Sequence, residues 1–375
     1  MSQYADFVAQ IDSLPELVRT EARRIDDRMR LLLKTPEIYG IRQVVLVGSG
    51  DSYFAAQAAV PAIRAWTGLP VVAMLAMEAA RYVDAGVAPL GGQTRGLLVV
   101  AISNSGEAAR VVEATQRLRA LGALTLAITA APDSRLGRSA ERVLDITVPG
   151  AAPAPGTRSY VASMLAAYSV GLRLAEVRLA VTMDEANALR GEIAGLSDAL
   201  ATAAQVSAGP IRDVVDRWHG FASVDVLGSG PALASAGYTA AKLVEAAGLH
   251  ATAQDAEEFH HLNYFVADLD HVPAVAFAAG AARAASRTRE LVGTLEGLGR
   301  PALIVTDQAE WPPYGVQIRL PEVREWFAPL VHAVPAAHLA AAWAEAIGAI
   351  HYRGHTGRWG RSQGANLVRN SALEV

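Results

Sequence analysis

Glu245, Glu258 and His261 are the residues whose types and spacing suit chemistry at carbon. They fall in Gly237 to His261, GYTAAKLVEAAGLHATAQDAEEFHH, which reads as a helix, a short strand and the start of a second helix. Glu245 lies near the end of the first helix, Glu258 and His261 near the start of the second. A carboxylate and an imidazole sixteen residues apart, joined by a strand, can be brought to face one pocket. Such a pair can move protons at carbon. Each residue also has a plainer reading. Glu245 fits a solvated helix face, Glu257 and Glu258 complement a helix dipole, and His260 and His261 fit a surface. His250, Glu258, His260 and His261 lack the spacing of a metal site, because adjacent histidines on a helix rarely bind one ion and no HExxH occurs. No metal is expected.

The elements that must position these residues read as alternating strands and helices. Residues 5 to 34 look helical. Val44 to Val47 form a strand that enters Gly48-Ser49-Gly50 and an alanine-rich helix. VVAMLAMEAARYV after Pro70 gives a strand and a helix, and Gly96 to Ile102 gives a strand that runs through Ser103-Asn104-Ser105-Gly106-Glu107 into another helix. Ala123 to Thr129 and Val143 to Val148 are further strands, and a long helical region covers about Tyr160 to Val206. This alternation predicts an α/β fold with a parallel sheet covered on both faces.

The pattern then repeats. Gly48-Ser49-Gly50 returns as Gly228-Ser229-Gly230, Gly68-Leu69 as Gly248-Leu249, and Glu78 as Glu258, all at an offset of 180 residues. Two tandem copies of one doubly wound unit follow, each a three-layer α/β/α sandwich. The copies differ in chemistry. Copy one has Asp51, Ser52, Ser103, Asn104 and Ser105 around its glycine turn at Gly50, whereas copy two has Ala232 and Ala278-Ala279-Gly280-Ala281. Hydroxyls, an amide and N–H groups at helix N-termini make a phosphate cradle. Either motif alone is weak, since GSGDS lacks the last glycine and downstream acid of a dinucleotide fingerprint, and SNSGE fits an ordinary cap. Together, at the ends of two strands of one sheet, they mark a ligand crevice.

Composition narrows the function. Hydrophobic residues make up 52% of the 375 and charged residues 19%, enough for a large core. A net charge of −4 without a basic run argues against nucleic acid. The absence of cysteine excludes thiolate metal sites and cysteine nucleophiles. The N-terminal stretch lacks a signal-peptide core. Phe327 to Ile350 is interrupted by Pro335, His332, His338 and Glu345 and reads as a buried helix. A soluble, cytoplasmic chain with no membrane partner is expected.

GSGDS, SNSGE, TRSY (Thr157 to Tyr160), KLVEAAGLHATAQDAEEFHH, LPEVREWFAPLVHAVP and NLVRNSALEV, in that order, resemble the sugar isomerase (SIS) family. They look most like the isomerase half of glucosamine-6-phosphate synthase and its stand-alone relatives. The resemblance implies two SIS domains, 35–185 with the phosphate loops and 211–350 with the catalytic pair. A helical segment 1–34, a helical linker 186–210 and a tail 351–375 closing over the site complete the expected chain. It implies that Ser52, Ser103, Asn104 and Ser105 hold a sugar phosphate, that Glu245 carries a proton between C1 and C2, and that His261 opens the ring. In relatives that histidine comes from the neighbouring subunit, so a homodimer with shared active sites is expected.

Histidine titrates near neutrality, as ring opening needs, and a partly desolvated carboxylate suits proton shuttling. No cofactor is required. Arg158 and Lys242 are candidates to stabilise developing charge. Several positions depart from the family pattern. Ala108 removes one hydroxyl, Asp51 puts an acid at the cradle, His261-Leu262-Asn263 replaces HGP, and Arg369, expected in the catalytic set with Glu245 and His261, stands at the tail lysine, where it cannot form a Schiff base. Glutamine-dependent synthesis by this chain alone is not expected. Isomerisation or deamination of a phosphorylated hexosamine or hexose is therefore expected. A fructosamine-6-phosphate deglycase, or a sensor that binds without turnover, are the alternatives.

Overall fold

The structure is a computed structural model and describes residues 3–83, 96–279, 282–308 and 311–375. The chain begins with α1 (Gln3–Asp12), α2 (Leu14–Leu32) and α3 (Thr35–Gly40). Strand β1 (Gln43–Gly48), α4 (Asp51–Thr67), β2 (Val71–Leu75) and α5 (Ala76–Arg81) follow. Then come β3 (Leu97–Ile102), α6 (Ala109–Ala120), β4 (Leu124–Thr129), α7 (Arg135–Ser139) and β5 (Arg142–Asp145). Helices α8 (Arg158–Val177) and α9 (Met183–Trp218) precede the second series: β6 (Ser223–Leu227), α10 (Pro231–Lys242), β7 (His250–Gln254), α11 (Ala256–His261) and β8 (Ala274–Ala278). The chain ends with α12 (Ala285–Gly297), β9 (Ala302–Thr306), β10 (Val316–Arg319), α13 (Ala328–Ala346), α14 (Gly357–Ser362) and α15 (Gly364–Asn370).

Two compact units emerge. One comprises Leu17–Pro149, Ser159–Ala194 and Arg353–Val375; the other comprises Met1–Glu16, Gly150–Arg158 and Gly195–Tyr352. In the first, five parallel strands run in the order β2-β1-β3-β4-β5. Every residue of β1 and of β3 is buried, which is why both read as unbroken apolar runs. Val45, Val47, Val99 and Ala101 pack under α5 and α6. Helices α4 and α8 pack together, with Trp66 and Tyr168 rings 6.0 Å apart.

The second unit has the order β10-β9-β8-β6-β7. Counted from its own first strand, this is the same winding. Ala274, Ala276 and Ala278 of β8 face a core shared with Ala256 and Phe259 of α11 and Leu291 and Leu295 of α12. Side chains alternate across a strand, so Phe277 points the other way, and its ring lies 4.7 Å from that of His332 in α13. Ser235 of α10 bonds His332 Nδ1 at 3.0 Å. Helices α10 and α13 therefore cover one face, and α11 and α12 the opposite one. The expected α/β fold is present as two parallel five-stranded sheets.

Several expected bounds shift. The first helical stretch breaks at Ser13. The region from Tyr160 to Val206 is two helices, parted around Leu179, which adopts φ +58°. Residues 186–210 lie inside the 36-residue helix α9. Strand β5 stops at Asp145, whose Oδ1 accepts from the N–H of Thr147 at 2.8 Å and turns the chain. The apolar stretch Glu325–Ala346 is long enough to cross a membrane, but 89% of its most apolar window is buried inside the fold, as its interrupted sequence predicts.

His332 is buried, and burial lowers its pKa from 6.5 to about 3. The unfolded chain therefore binds the extra proton first. Stability from neutral His332 is complete above pH 6.5 and is lost as pH falls toward 3. The expected slope is about 1.4 kcal/mol per pH unit in that window. Urea unfolding from pH 6.5 to 4 should show His332→Gln with a slope flatter by about that amount; equal slopes would contradict the burial argument.

Candidate active site

In the sheet of the first unit, β1 lies between β2 and β3, so the winding direction reverses between β1 and β3. Crevices at such reversals, beyond the carboxyl ends of the strands, are where open α/β sheets bind ligands. The pairing of Val47 with Ala101 brings the turn after β1 alongside the turn after β3. Gly48 must be glycine, since a Cβ there would sit 2.5 Å from the Ser52 carbonyl carbon. Gly50 has φ +54° and ψ −130°, a region closed to other residues, and caps α4. Asp51 and Ser52 form the first turn of that helix and are half-buried.

The second turn differs from a helix start. SNSGE is not the N-terminus of α6, which begins at Ala109. Ser103 is buried and its N–H continues the ladder to Ile128 O at 3.0 Å. The Asn104 carbonyl accepts from Ala130 N–H at 3.0 Å and from Thr129 Oγ1 at 3.2 Å. Gly106 N–H returns to Ser103 O at 3.0 Å, and Ser105 Oγ accepts from Glu107 N–H at 3.3 Å. These bonds close the turn without using the N–H groups of Asn104 and Ser105, and the bonds that start α4 do not use that of Ser52. Three N–H donors, with nearby hydroxyls, thus stand on adjacent turns at one end of the sheet, an arrangement that suits an anion.

Glu107 ties this turn to α7. Arg135 donates from its N–H to Glu107 Oε1 at 3.0 Å and from its guanidinium to Oε2 at 2.7 Å and to Glu107 O at 2.6 Å. The Arg135 N–H, then its side chain, hold the Glu107 carboxyl below the usual carboxylate range. The same guanidinium donates to the carbonyl of Arg369. Arg369 itself is exposed, on α15. The link between residues 107 and 135 carries no sequence signal, because nothing in a 28-residue separation marks it.

The matching crevice of the second unit is nearly closed. It measures about 10 Å³ and is lined by Ser229, Ala232, Glu325 and His332 among others. It carries a carboxylate where the first carries backbone donors. Gly280 and Ala281, part of the sequence comparison between the copies, lie outside the described residues.

Glu245 stands on a feature the sequence did not disclose. Leu243–Ala247 forms a π-helical turn at the end of α10, closed by Gly248 at φ +72°. Such turns occur often at functional sites. Lys242 is fully buried and forms an ion pair with Glu245, whose side chain is 41% exposed. The ammonium also lies 5.5 Å from the Tyr238 ring centroid. Buried charge persists where it is paired, so the turn fixes the carboxylate at the surface end of a buried cation. Tyr352, at φ +59°, is the residue sequence reasoning missed here. Burial pushes its phenol pKa up, the Glu245 carboxylate adds to this, and Lys242 opposes it.

Within one chain, Glu245 and His261 lie on opposite faces of the second sheet. Right-handed crossovers in opposite directions across a sheet lie on opposite faces. The connection from β6 to β7 carries Glu245 one way, and the connection from β7 to β8 carries His261 back the other. Glu245 accordingly sits with α10 and α13, and His261 on α11 with α12. His261 is exposed, with Nε2 3.3 Å from Glu257 Oε1. The His261 hydrogen bond, then Arg287, hold Glu257 below the usual carboxylate range. Glu258 is exposed on the first turn of α11. Arg158 opens α8 and donates to Ser13 Oγ at 2.6 Å, both in the second unit.

Residues 37–173 match the model of the SIS domain. The chain contains a SIS domain. It is also similar to the glutamine–fructose-6-phosphate aminotransferase (isomerizing) of Mycobacterium bovis, at 28% identity over 322 residues, covering 84% of this chain and 50% of that protein. The chain thus spans about half the length of the curated relatives it matches. Its fold resembles the C-terminal domain of glucosamine-fructose-6-phosphate aminotransferase from Francisella tularensis, with TM-score 0.80, 19% identity and coverage of 92% and 97% of the two chains. It also resembles glucosamine-6-phosphate deaminase from Thermotoga maritima, with TM-score 0.67, 17% identity and coverage of 93% and 96%. The matched stretch contains all five strands of the first sheet, β1 to β5.

Gly106 tests how the cradle is built. It adopts φ +64°, and a methyl there would run into Ser134 Oγ, itself held as the cap of α7. Gly106→Ala should cost about 1–3 kcal/mol, and any thermal stabilisation by an added sugar phosphate should be weaker than in the wild type. Calorimetry with and without that ligand checks both effects; an unchanged melting temperature would contradict the geometry.

Proposed function

We propose that this chain is a cofactor-independent phosphosugar isomerase that acts on a 6-phosphorylated hexosamine or hexose and releases ammonia from the amino sugar. The observation that carries the reading is the cradle between β1 and β3, where N–H groups of Ser52, Asn104 and Ser105 have no role in closing their own turns. A phosphate dianion accepts such donors without a metal. Ser52, Ser103 and Ser105 supply hydroxyls, and Gly50 lets the backbone approach. Asp51 would take a sugar hydroxyl or an amine, where an anion would be repelled.

The chemistry falls to Glu245 and Lys242. After ring opening, Glu245 removes the proton from C2 and returns it to C1, which converts the aldose to the ketose level. With a 2-amino sugar the resulting C2 imine takes up water and loses ammonia, leaving fructose 6-phosphate. Lys242 holds the carboxylate in place and balances charge on the enediol or enolamine. Arg369, always a cation, would close on the anionic substrate, and Arg158 and Glu258 would make further substrate contacts. His261 would assist ring opening in the site of a second copy. Its place on the face opposite Glu245 supports a homodimer with shared sites. A cytoplasmic location accompanies this reading.

Asp51 favours one second reading. An acid at the cradle suits an amine-bearing sugar phosphate, as in a fructosamine-6-phosphate deglycase. Purified protein incubated with glucosamine 6-phosphate and, separately, with fructoselysine 6-phosphate distinguishes them: ammonia from the first supports deamination, lysine from the second supports the deglycase. Glu245→Gln and His261→Ala should each abolish turnover. Mixed under subunit exchange, the two variants should recover about a quarter of wild-type turnover, since half the dimers are hybrid and each hybrid holds one intact site. No recovery would contradict sharing, and full turnover in Glu245→Gln would remove that residue from the mechanism.

A further inference from the structure

The last residues of the chain are held on α6 by a charged cluster separate from the cradle. Glu113, in the middle of α6, is fully buried. Arg81 of α5 donates to its Oε1 at 2.9 Å, and Arg110 donates to Oε2. Each arginine then reaches the C-terminal segment. Arg110 Nη2 donates to Ser371 Oγ at 3.0 Å and to the Ala372 carbonyl. Arg81 Nη1 pairs with Glu374 at 2.8 Å. Leu373 packs against the apolar cluster of Val111, Leu118 and Leu136. Burial would raise the pKa of Glu113, but the bonds from Arg81, from the Glu374 backbone and from Arg110 outweigh it and hold the carboxyl below the usual range.

A buried carboxylate between two arginines orients both guanidiniums, because each is anchored at one edge and free to bind with the other. We infer that Glu113, Arg81 and Arg110 are positioning residues that clasp residues 371–374 on α6 and so hold Arg369 beside the Ser103–Glu107 turn. Two further observations point the same way. Arg135 bridges Glu107 to the Arg369 carbonyl, so the clasped segment meets the turn itself. Two of the three clasp residues, Arg110 and Glu113, lie on α6, the helix that leaves the turn two residues after Glu107. The segment is thus fastened at one end to α6 and at the other to the turn that would bind anion. None of the clasp residues touches the cradle donors, so their effect on substrate runs through the position of the segment.

Amide hydrogen exchange on the full chain tests this. Glu113→Gln should speed exchange in residues 364–374 by about tenfold or more, while the sheet stays protected. Glu374→Ala, at an exposed position, should give a smaller increase, and keeps the test valid if Glu113→Gln disturbs α6. In turnover with glucosamine 6-phosphate, both variants should raise KM, Glu113→Gln by about tenfold, with little change in kcat, as expected when binding alone is lost. Exchange in 364–374 equal to wild type in both variants would overturn the clasp. A released segment with unchanged KM would overturn its role in holding substrate. The kinetic arm rests on the isomerase reading and the exchange arm does not, so the two fail separately.

Discussion

A buried ammonium ion constrains the end of α10. Lys242 has no exposed surface, and an isolated charge in that setting would cost several kcal/mol. Glu245 can meet it three residues later only if the helix ends in the right geometry. The π-helical turn Leu243–Ala247 widens the last turn and leaves the carboxylate partly in solvent and partly on the lysine. Replacing both charges with apolar groups would make a simpler core. The pair instead reaches the surface, where the carboxylate is open to solvent or a ligand.

The two sheets share one winding but not one chemistry. Both reverse direction between their first and third strands, and both begin the following helix with a glycine of almost identical conformation, φ +54° at Gly50 and φ +60° at Gly230. The same backbone plan thus makes two crevices. In one, turns closed by their own hydrogen bonds leave donors at Ser52, Asn104 and Ser105. In the other, Glu325 and neighbouring apolar side chains fill the space. One topology thus carries two different linings, backbone donors in one copy and a carboxylate among apolar side chains in the other.

Much of this was legible because buried parallel strands have a simple signature. Val44–Val47 and Leu97–Ile102 are buried on both faces and so appear as unbroken apolar runs between glycine turns. The 180-residue repeat was legible because its markers are glycines with positive φ, Gly68 and Gly248 among them, which other residues cannot replace without strain. The misses have physical causes as well. KLVEAAG looks like any helix end, and one extra residue per turn leaves no mark on composition. SNSGE looks like a cap, yet its bonds run to β4 and within the turn. The separation of Glu245 from His261 follows from crossover handedness, which acts over the whole sheet rather than along the stretch that holds both residues. The Glu107–Arg135 bridge joins segments whose spacing carries no period.

The account turns on whether Glu245 moves a proton at the carbon next to a sugar carbonyl. Mass and proton spectra of glucosamine 6-phosphate recovered from heavy water after brief incubation with the protein give the most direct answer. The account predicts solvent deuterium at C2 of recovered substrate or at C1 of the fructose 6-phosphate formed, with none in the Glu245→Gln protein. Tight binding of the sugar phosphate with no deuterium at either carbon would contradict it, and would leave a protein that holds the sugar without acting on it.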